Sequence, residues 1–279
     1  MPYSTLTLEI DARIATLMLA RPEALNSMNR EFWRELPQAI TAIEAASDVR
    51  AVVLAAAGKH FCAGMDLSVF ASPDPRMTGG EEGRRSEYIR RLVLKLQAIF
   101  SAFETLRMPV LAAIQGGCIG GALDMVCCAD MRYCTRDAYF QVKETHLGMT
   151  ADLGTLQRLP RLIPEGLARE LAYTGRKLGA DEALRCGLVN AVFEDQQALL
   201  EGVTAIARDI AAQSPLAVHG CKHMISYARE HALRDSLEYM AGWQAGMFRP
   251  QDMTLAMQAA ATRSQPDYSA LHPIDDSTL

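Results

Sequence analysis

Two short runs of nearly unbroken apolar character restrict the fold more than anything else in the chain. Residues 49–56 read Val-Arg-Ala-Val-Val-Leu-Ala-Ala, and residues 110–114 read Val-Leu-Ala-Ala-Ile. Neither alternates polar with apolar, so each predicts a strand covered on both faces. Residues 131–134 predict a third. Between the second run and the first lies a helical pattern, with Ile89, Leu92, Val93, Leu96, Ile99, Phe100 and Phe103 on one face and Pro109 beyond its end. A short apolar helix is expected over 123–128. Strand, loop, helix and strand recur, which predicts an α/β layout with sheets buried under helices.

The flanks extend this order. Residues 5–19 alternate and predict two short strands around Asp11-Ala12. Ser27 can cap a helix with Phe32, Leu36, Ile40 and Ile43 on one face, and Pro37 inside it should bend or weaken it. Residues 72–85, rich in Pro, Gly and charge, predict a mobile surface segment. After residue 195 strands stop. Helices are expected over 196–212, 215–230, 233–247 and 252–262, then a frayed polar tail. This divides the chain into a core, 1–195, and a helical assembly region, 196–279.

Composition excludes several classes. The net charge of −5 with no basic run argues against a nucleic-acid partner. The seven cysteines are odd in number and form no pair of CxxC motifs, which predicts reduced, buried thiols and no zinc or other metal site. No apolar run reaches about 18 residues, so no membrane span is expected. The first residues carry no leader pattern, and Ser277-Thr278-Leu279 is not the peroxisomal tripeptide. Elimination leaves a cytoplasmic location as the expectation.

Three groups of residues are candidates for chemistry. Residues 60–67 leave a strand and approach a helix through Gly64, so unpaired backbone N–H groups there can meet a carbonyl oxygen. An ordinary strand-to-helix turn explains the same residues. Two glycine pairs, Gly116-Gly117 and Gly120-Gly121, let the backbone approach a ligand, but the GxGxxG spacing of a dinucleotide site is absent. The N–H groups of Met65 and Gly121 together can form an oxyanion hole for a developing enolate. The third group is three acids in apolar surroundings, Asp124, Glu144 and Asp152. A carboxyl so placed needs a partner or a raised pKa, and one titrating near neutrality can move protons. Each can also be a solvated surface acid. Asp152 can cap a helix starting near Leu153, Asp66 can be a helix-start acid, and His146 can tune Glu144.

Arg21-Pro22-Glu23-Ala24-Leu25-Asn26, residues 61–67, residues 109–124 and Ala129-Asp130-Met131-Arg132 together resemble the crotonase (enoyl-CoA hydratase/isomerase) superfamily over about residues 5–265. Residues 130–144, residues 151–160, Tyr239-Met240-Ala241-Gly242-Trp243 and Gln251-Asp252 look most like its Δ3,5-Δ2,4-dienoyl-CoA isomerase branch. The resemblance implies a spiral of ββα turns with a C-terminal helical trimerisation region, in a homotrimer or dimer of trimers. It implies an acyl-CoA thioester substrate, with coenzyme A as part of the substrate and no separate cofactor. It places the thioester oxygen on Met65 and Gly121, the acyl and pantetheine path along Ala63, Gly64, Asp66 and Leu67, and the CoA side at Ala24 and Leu25.

The branch's acids fall on Asp124, Glu144 and Asp152. Glu144 would take the C2 proton, Asp152 would deliver one at C6, and Asp124 would bias both. Hydratases of the superfamily carry Glu at the first position and lack the third acid, so the pattern here favours isomerisation. Hydration of a 2-enoyl-CoA or a Δ3-Δ2 shift is the alternative, and a non-catalytic acyl-CoA binder is the less favoured one. Two departures stand out. His146 occupies a position where an acidic or small residue is expected, and Thr262-Arg263 stands where the superfamily has Lys-Arg near the CoA phosphate.

Overall fold

The computed structural model describes residues 3–248 and 250–273. The strands are β1 (Leu6–Asp11), β2 (Ile14–Leu19), β3 (Ala51–Ala56), β4 (Val110–Ile114), β5 (Gly117–Ile119), β6 (Met131–Thr135), β7 (Tyr139–Gln141), β8 (Leu178–Gly179) and β9 (Ala191–Phe193). The helices are α1 (Arg30–Ala45), α2 (Leu67–Ala71), α3 (Pro75–Thr78), α4 (Glu82–Thr105), α5 (Gly121–Val126), α6 (Thr155–Leu162), α7 (Glu165–Thr174), α8 (Ala180–Arg185), α9 (Gln196–Ala211), α10 (Pro215–Ala228), α11 (Leu233–Met247) and α12 (Pro250–Thr262). Two 3-10 turns, Pro22–Ala24 and Glu144–Leu147, complete the set.

Six strands form one sheet in the order β1-β2-β3-β4-β6-β9, antiparallel at β1/β2 and parallel from there on. The apolar runs lie at its centre, and side-chain alternation divides them between two cores. Val52, Leu54, Ala56, Val110, Ala112 and Ile114 face the main core with α1 and α4. Ala51, Val53, Ala55, Leu111 and Ala113 face the other side. There α9 lies across the sheet with Leu199, Val203, Ala207 and Ala211, spaced four apart, turned inward. Two covered faces explain why these strands show no polar alternation.

A second sheet, β5-β7-β8, has strands of only two or three residues. Cys62 extends it through a bridge to Cys118, which is paired with Phe140, which is paired with Leu178. All four are essentially inaccessible to solvent. Each turn of the spiral therefore runs from a strand of the large sheet, through one rung of this small ladder, to a helix or turn. The order repeats at β3–Cys62–α2, at β4–β5–α5 and at β6–β7 with the turn Glu144–Leu147. This is the expected spiral of ββα turns.

Several local expectations shift. Asn29, not Ser27, caps α1, its side chain accepting from Phe32 N–H at 2.9 Å. The helix runs through Pro37 without a break. Residues 263–273 have no regular structure but are tied down. Asp267 pairs with Arg13 at 2.8 Å, and Tyr268 is buried. The last residues of the expected frayed tail, 274–279, lie outside the described residues, as does Arg249.

Beyond α9 the helices bury little. Helix α10 is anchored by Lys222, whose ammonium sits 2.9 Å from Asp130 and donates to the carbonyls of Phe103 and Met108 at 2.9 and 3.0 Å. Helix α11 buries no residue. It meets α10 through rings, His223 stacking on Trp243 and Tyr227 on Tyr239 with centroids 4.9 and 4.1 Å apart. Among the described residues no helix is long and apolar enough to cross a membrane.

Candidate active site

The small ladder explains how residues far apart in sequence meet. Ile119 N–H donates to Cys62 O at 3.1 Å, and Gly120 N–H donates to Gln141 O at 2.9 Å. The chain leaves successive rungs at the same edge, so the residues just past Cys62, Cys118 and Phe140 gather there. They are Gly64-Met65, Gly120-Gly121 and Glu144. Close packing at two glycines reports how tightly. A Cβ on Gly64, whose φ is +85°, would lie 3.4 Å from Gly121 N and 2.6 Å from Ile119 O. A Cβ on Gly120, with φ +56°, would lie 3.1 Å from Glu144 Oε1. Only glycine leaves the space open and adopts these angles without strain.

Met65 and Gly121 are thereby neighbours. Among the described residues neither N–H donates to a protein acceptor. Gly121 is the first residue of α5, where the N–H has no intrahelical partner. Cys62 Sγ accepts the N–H of Gly64 at 3.3 Å and so helps hold the bend before Met65.

A second strip of backbone lines this edge. Ala63 N–H donates to Leu25 O at 3.0 Å, Met28 N–H to Gly64 O at 2.8 Å, and Asp66 N–H to Met28 O at 3.2 Å. These bonds bring Ala24 and Leu25 alongside Ala63, Gly64 and Asp66, with Leu67 exposed at the start of α2. The Asp66 carboxylate is fully engaged by the protein. It caps Ser68 N–H at 3.0 Å, accepts from the Ser68 and Ser27 hydroxyls at 2.7 and 2.8 Å, and lies 3.4 Å from Arg21. These partners, the Ser68 hydroxyl foremost, hold its pKa down at about 2. Its place is to clamp the loop to residues 21–27. Asn26, buried with φ +53°, completes the clamp by donating to the carbonyls of Ala57 and His60.

The three acids converge but differ in surroundings. Asp124, on α5, is 1% exposed and accepts Thr155 N–H at 2.6 Å through Oδ1. Burial pushes its pKa up to about 7, the Thr155 hydrogen bonds pull the other way, and the nearby charges of Glu144 and Asp152 push it further up. Glu144 opens its 3-10 turn half-buried. Its Oε2 is enclosed and unpartnered among the described residues, and burial followed by the charge of Asp152 raises its pKa above the ordinary value. Asp152 lies on the loop that precedes α6. Its side chain is exposed, yet protein on its flanks removes enough water to raise its pKa as well. It does not cap α6, whose N-cap is Gly154. The first free N–H of that helix goes instead to Asp124.

His146 turns away from the acids. Its Nε2 meets Thr174 O at 2.9 Å, which requires the proton on Nε2, and its Nδ1 lies 3.1 Å from Lys143 Nζ. It fastens the Glu144 turn to α7. Residues not singled out in the sequence also matter here: Thr155, Cys62, Asn26 and Gln97, the last of which donates to Asp152 O at 2.6 Å. A buried Asn within a tight loop is the only one with a legible sign, since Asn tolerates positive φ. Thr155 and Gln97 act through partners distant in sequence, and Cys62 through both its neighbour Gly64 and the distant Cys118.

Two N–H groups without a protein acceptor, near three carboxyls whose pKa values are raised, form an arrangement suited to proton transfer beside a carbonyl oxygen. The chain matches the family described as Enoyl-CoA hydratase/isomerase over residues 9–270, and it belongs to that family. It is 47% identical over 245 residues to the mitochondrial Δ(3,5)-Δ(2,4)-dienoyl-CoA isomerase of Mus musculus, covering 88% of this chain and 75% of that one. It is 40% identical over 271 residues to the peroxisomal Δ(3,5)-Δ(2,4)-dienoyl-CoA isomerase of Arabidopsis thaliana, covering 95% and 98%. The crystal structure of an enoyl-CoA hydratase from Bacillus anthracis superposes with a TM-score of 0.84 at 31% identity, covering 95% of this chain and 99% of that one.

Proposed function

We propose that this protein isomerises 3,5-dienoyl-CoA thioesters to 2,4-dienoyl-CoA thioesters in fatty-acid β-oxidation. The observation that carries the reading is Asp152, a third carboxyl, exposed yet partly desolvated, whose charge is felt by the more buried Glu144 and Asp124. In this scheme the thioester oxygen sits between the N–H groups of Met65 and Gly121, and Ala24, Leu25, Ala63, Gly64 and Leu67 border the bound thioester. Glu144 removes a proton from C2. The charge spreads through the diene to C6 and on to the oxygen, where the two N–H groups stabilise it. Asp152 gives a proton to C6, and the double bonds settle at C2 and C4. Glu144 ends protonated and Asp152 ionised, and loss of the Glu144 proton to water with uptake of one by Asp152 resets the pair.

Both acids have raised pKa values, which suits a base and an acid that exchange protons near neutrality. Substrate entry removes the remaining water from Asp152 and favours its protonated form. Asp124, held by Thr155, adds a charge or a proton between them. Coenzyme A takes part only as a portion of the substrate.

The assembly and the location belong to the same proposal. Apolar side chains left uncovered on α10–α12 suit a homotrimer or a dimer of trimers. Seven free cysteines, five of them buried, suit a reducing compartment such as the cytoplasm. Cell fractionation tests the location.

The reaction is tested by following the ultraviolet bands of conjugated thioesters with a 3,5-dienoyl-CoA and, separately, a 2-enoyl-CoA. Rapid appearance of the 2,4-dienoyl band is the expected result. Brisk loss of the enoyl band without dienoyl conversion would replace isomerisation with hydration.

A further inference from the structure

Thr155 grips the Asp124 carboxyl, whereas among the described residues no hydrogen bond from another residue reaches the Asp152 carboxyl. Residues 150–153 run between Gly148, with φ +71°, and Gly154, with φ +125°. Ala151 and Leu153 are each 4% exposed, so they plug inward and turn Asp152 outward between them. Backbone hydrogen bonds stop short of this stretch on both sides. Met149 N–H donates to Glu144 O at 3.0 Å, and Arg158 N–H donates to Gly154 O at 3.0 Å. Among the described residues, one hydrogen bond reaches 150–153 from elsewhere in the chain: Gln97 Nε2 to Asp152 O, at 2.6 Å.

Gln97 stands on a braced face of α4. Ser101 and Glu104, one and two turns further along, hold Arg158 of α6 at 2.8 and 2.6 Å. One strut thus ties down both the loop carrying the outer acid and the helix behind it. A donor on the Asp152 carbonyl fixes the peptide plane after Asp152, and with it the direction of the Asp152 side chain. We infer that Gln97 is a positioning residue for Asp152, setting where the far-end proton is delivered without touching the substrate. This rests on the isomerase reading, in which removal of the C2 proton and delivery at C6 use different acids. Displacing a catalytic group by about an ångström costs on the order of a hundredfold in rate. Loss of this hydrogen bond should therefore slow delivery at C6 and leave removal at C2 intact.

The test compares the intact protein with its Gln97→Met and Gln97→Glu variants in heavy water, with a 3,5-dienoyl-CoA. Deuterium entering C2 of recovered substrate reports proton removal, and the 2,4-dienoyl band reports the completed reaction. The expected result is C2 exchange within about twofold of the unaltered protein and product formation at least about tenfold slower, with Gln97→Glu the more impaired because its carboxylate repels the carbonyl. Exchange and product falling together, or neither changing, overturns the inference while leaving the isomerase reading in place. An unaltered protein that forms no 2,4-dienoyl product overturns both.

Discussion

The spiral core and the last three helices solve the problem of apolar residues in opposite ways. In the core, β3 and β4 are covered on both faces, and Val52, Leu54, Val110 and Leu111 are each 0% exposed. In α11 and α12, Leu233 is 75% exposed, Leu237 62% and Met257 63%. Burying one such side chain contributes about 1.5–3 kcal/mol, so a single chain forgoes a considerable stabilisation on α11 and α12. The core is complete as one copy. The C-terminal helices are built as if for a surface not supplied by the same chain. The candidate site lies where the chain covers its own apolar residues, and the uncovered ones lie on the C-terminal helices.

The sharpest way to break this division is at the acids. Asp152→Asn should lower isomerisation by about 10²–10⁴ and leave thioester affinity and association state as they were, measured by turnover, calorimetric binding and sedimentation. A change in association state would show that the cleft and the helices are not separate. Next in size, Lys222→Met cuts the buried tie between α10 and the core and leaves Asp130 with the Val110 N–H as its partner. It should cost about 3–5 kcal/mol, read as a lower midpoint in urea, with α10–α12 released before the core loses its structure.

Gly64→Ala forces a Cβ against Ile119 O in a left-handed conformation. Strain of about 1–3 kcal/mol should appear in thermal unfolding, together with a fall in turnover as Met65 N–H moves. The Asp124 carboxyl gives a smaller effect that depends on pH. Its folded pKa of about 7 lies above the ordinary carboxyl value of 3.8, so the folded state binds more protons than the unfolded one between those values. Its contribution therefore makes stability fall as pH rises from about 4 to about 7, by up to a few kcal/mol. The Asp124→Asn variant should lack that fall, and denaturant titrations at pH 5 and pH 8 measure it. Smallest for folding is Leu237→Glu, an exposed site where substitution should shift single-chain stability by less than about 0.5 kcal/mol. It should nonetheless dissociate an assembled form, and sedimentation velocity would show whether it does.

The readable parts of the fold were those where one physical rule acts locally. Residues 110–114 announce β4 because both faces are covered, and 131–134 do so for β6 to within a residue. The small sheet escaped, because β5 and β7 are three residues long and no periodicity can be read from three residues. The residues between the glycine pairs, which show no strand pattern, form β5. Ser27 looked like a helix cap, but its hydroxyl is taken by Asp66 and Asn29 caps instead. The acids were visible as acids in apolar surroundings, and their grouping came from the family resemblance. Nothing in the spacing of Asp124, Glu144 and Asp152 reveals that a ladder of buried rungs brings them to one edge. Asp152 also looked like a cap for its own helix. The free N–H it would have served is taken by Asp124, an exchange between two turns of the spiral that no local rule contains.

The ladder through Cys62, Cys118, Phe140 and Leu178 has a consequence for how such a protein can change. Between Cys62 and Cys118 the chain makes a long excursion through α2, α3, α4 and β4, and between Cys118 and Phe140 a short one. The pairing of the rungs, not the length of chain between them, decides where the candidate site residues sit. Residues can be added to or removed from α2 and α3 while Met65, Gly121 and Glu144 keep their mutual positions. Under the proposed function, the stretch between Cys62 and Cys118 and the proton-transferring acids can therefore diverge independently, one by lengthening and the other by single substitutions.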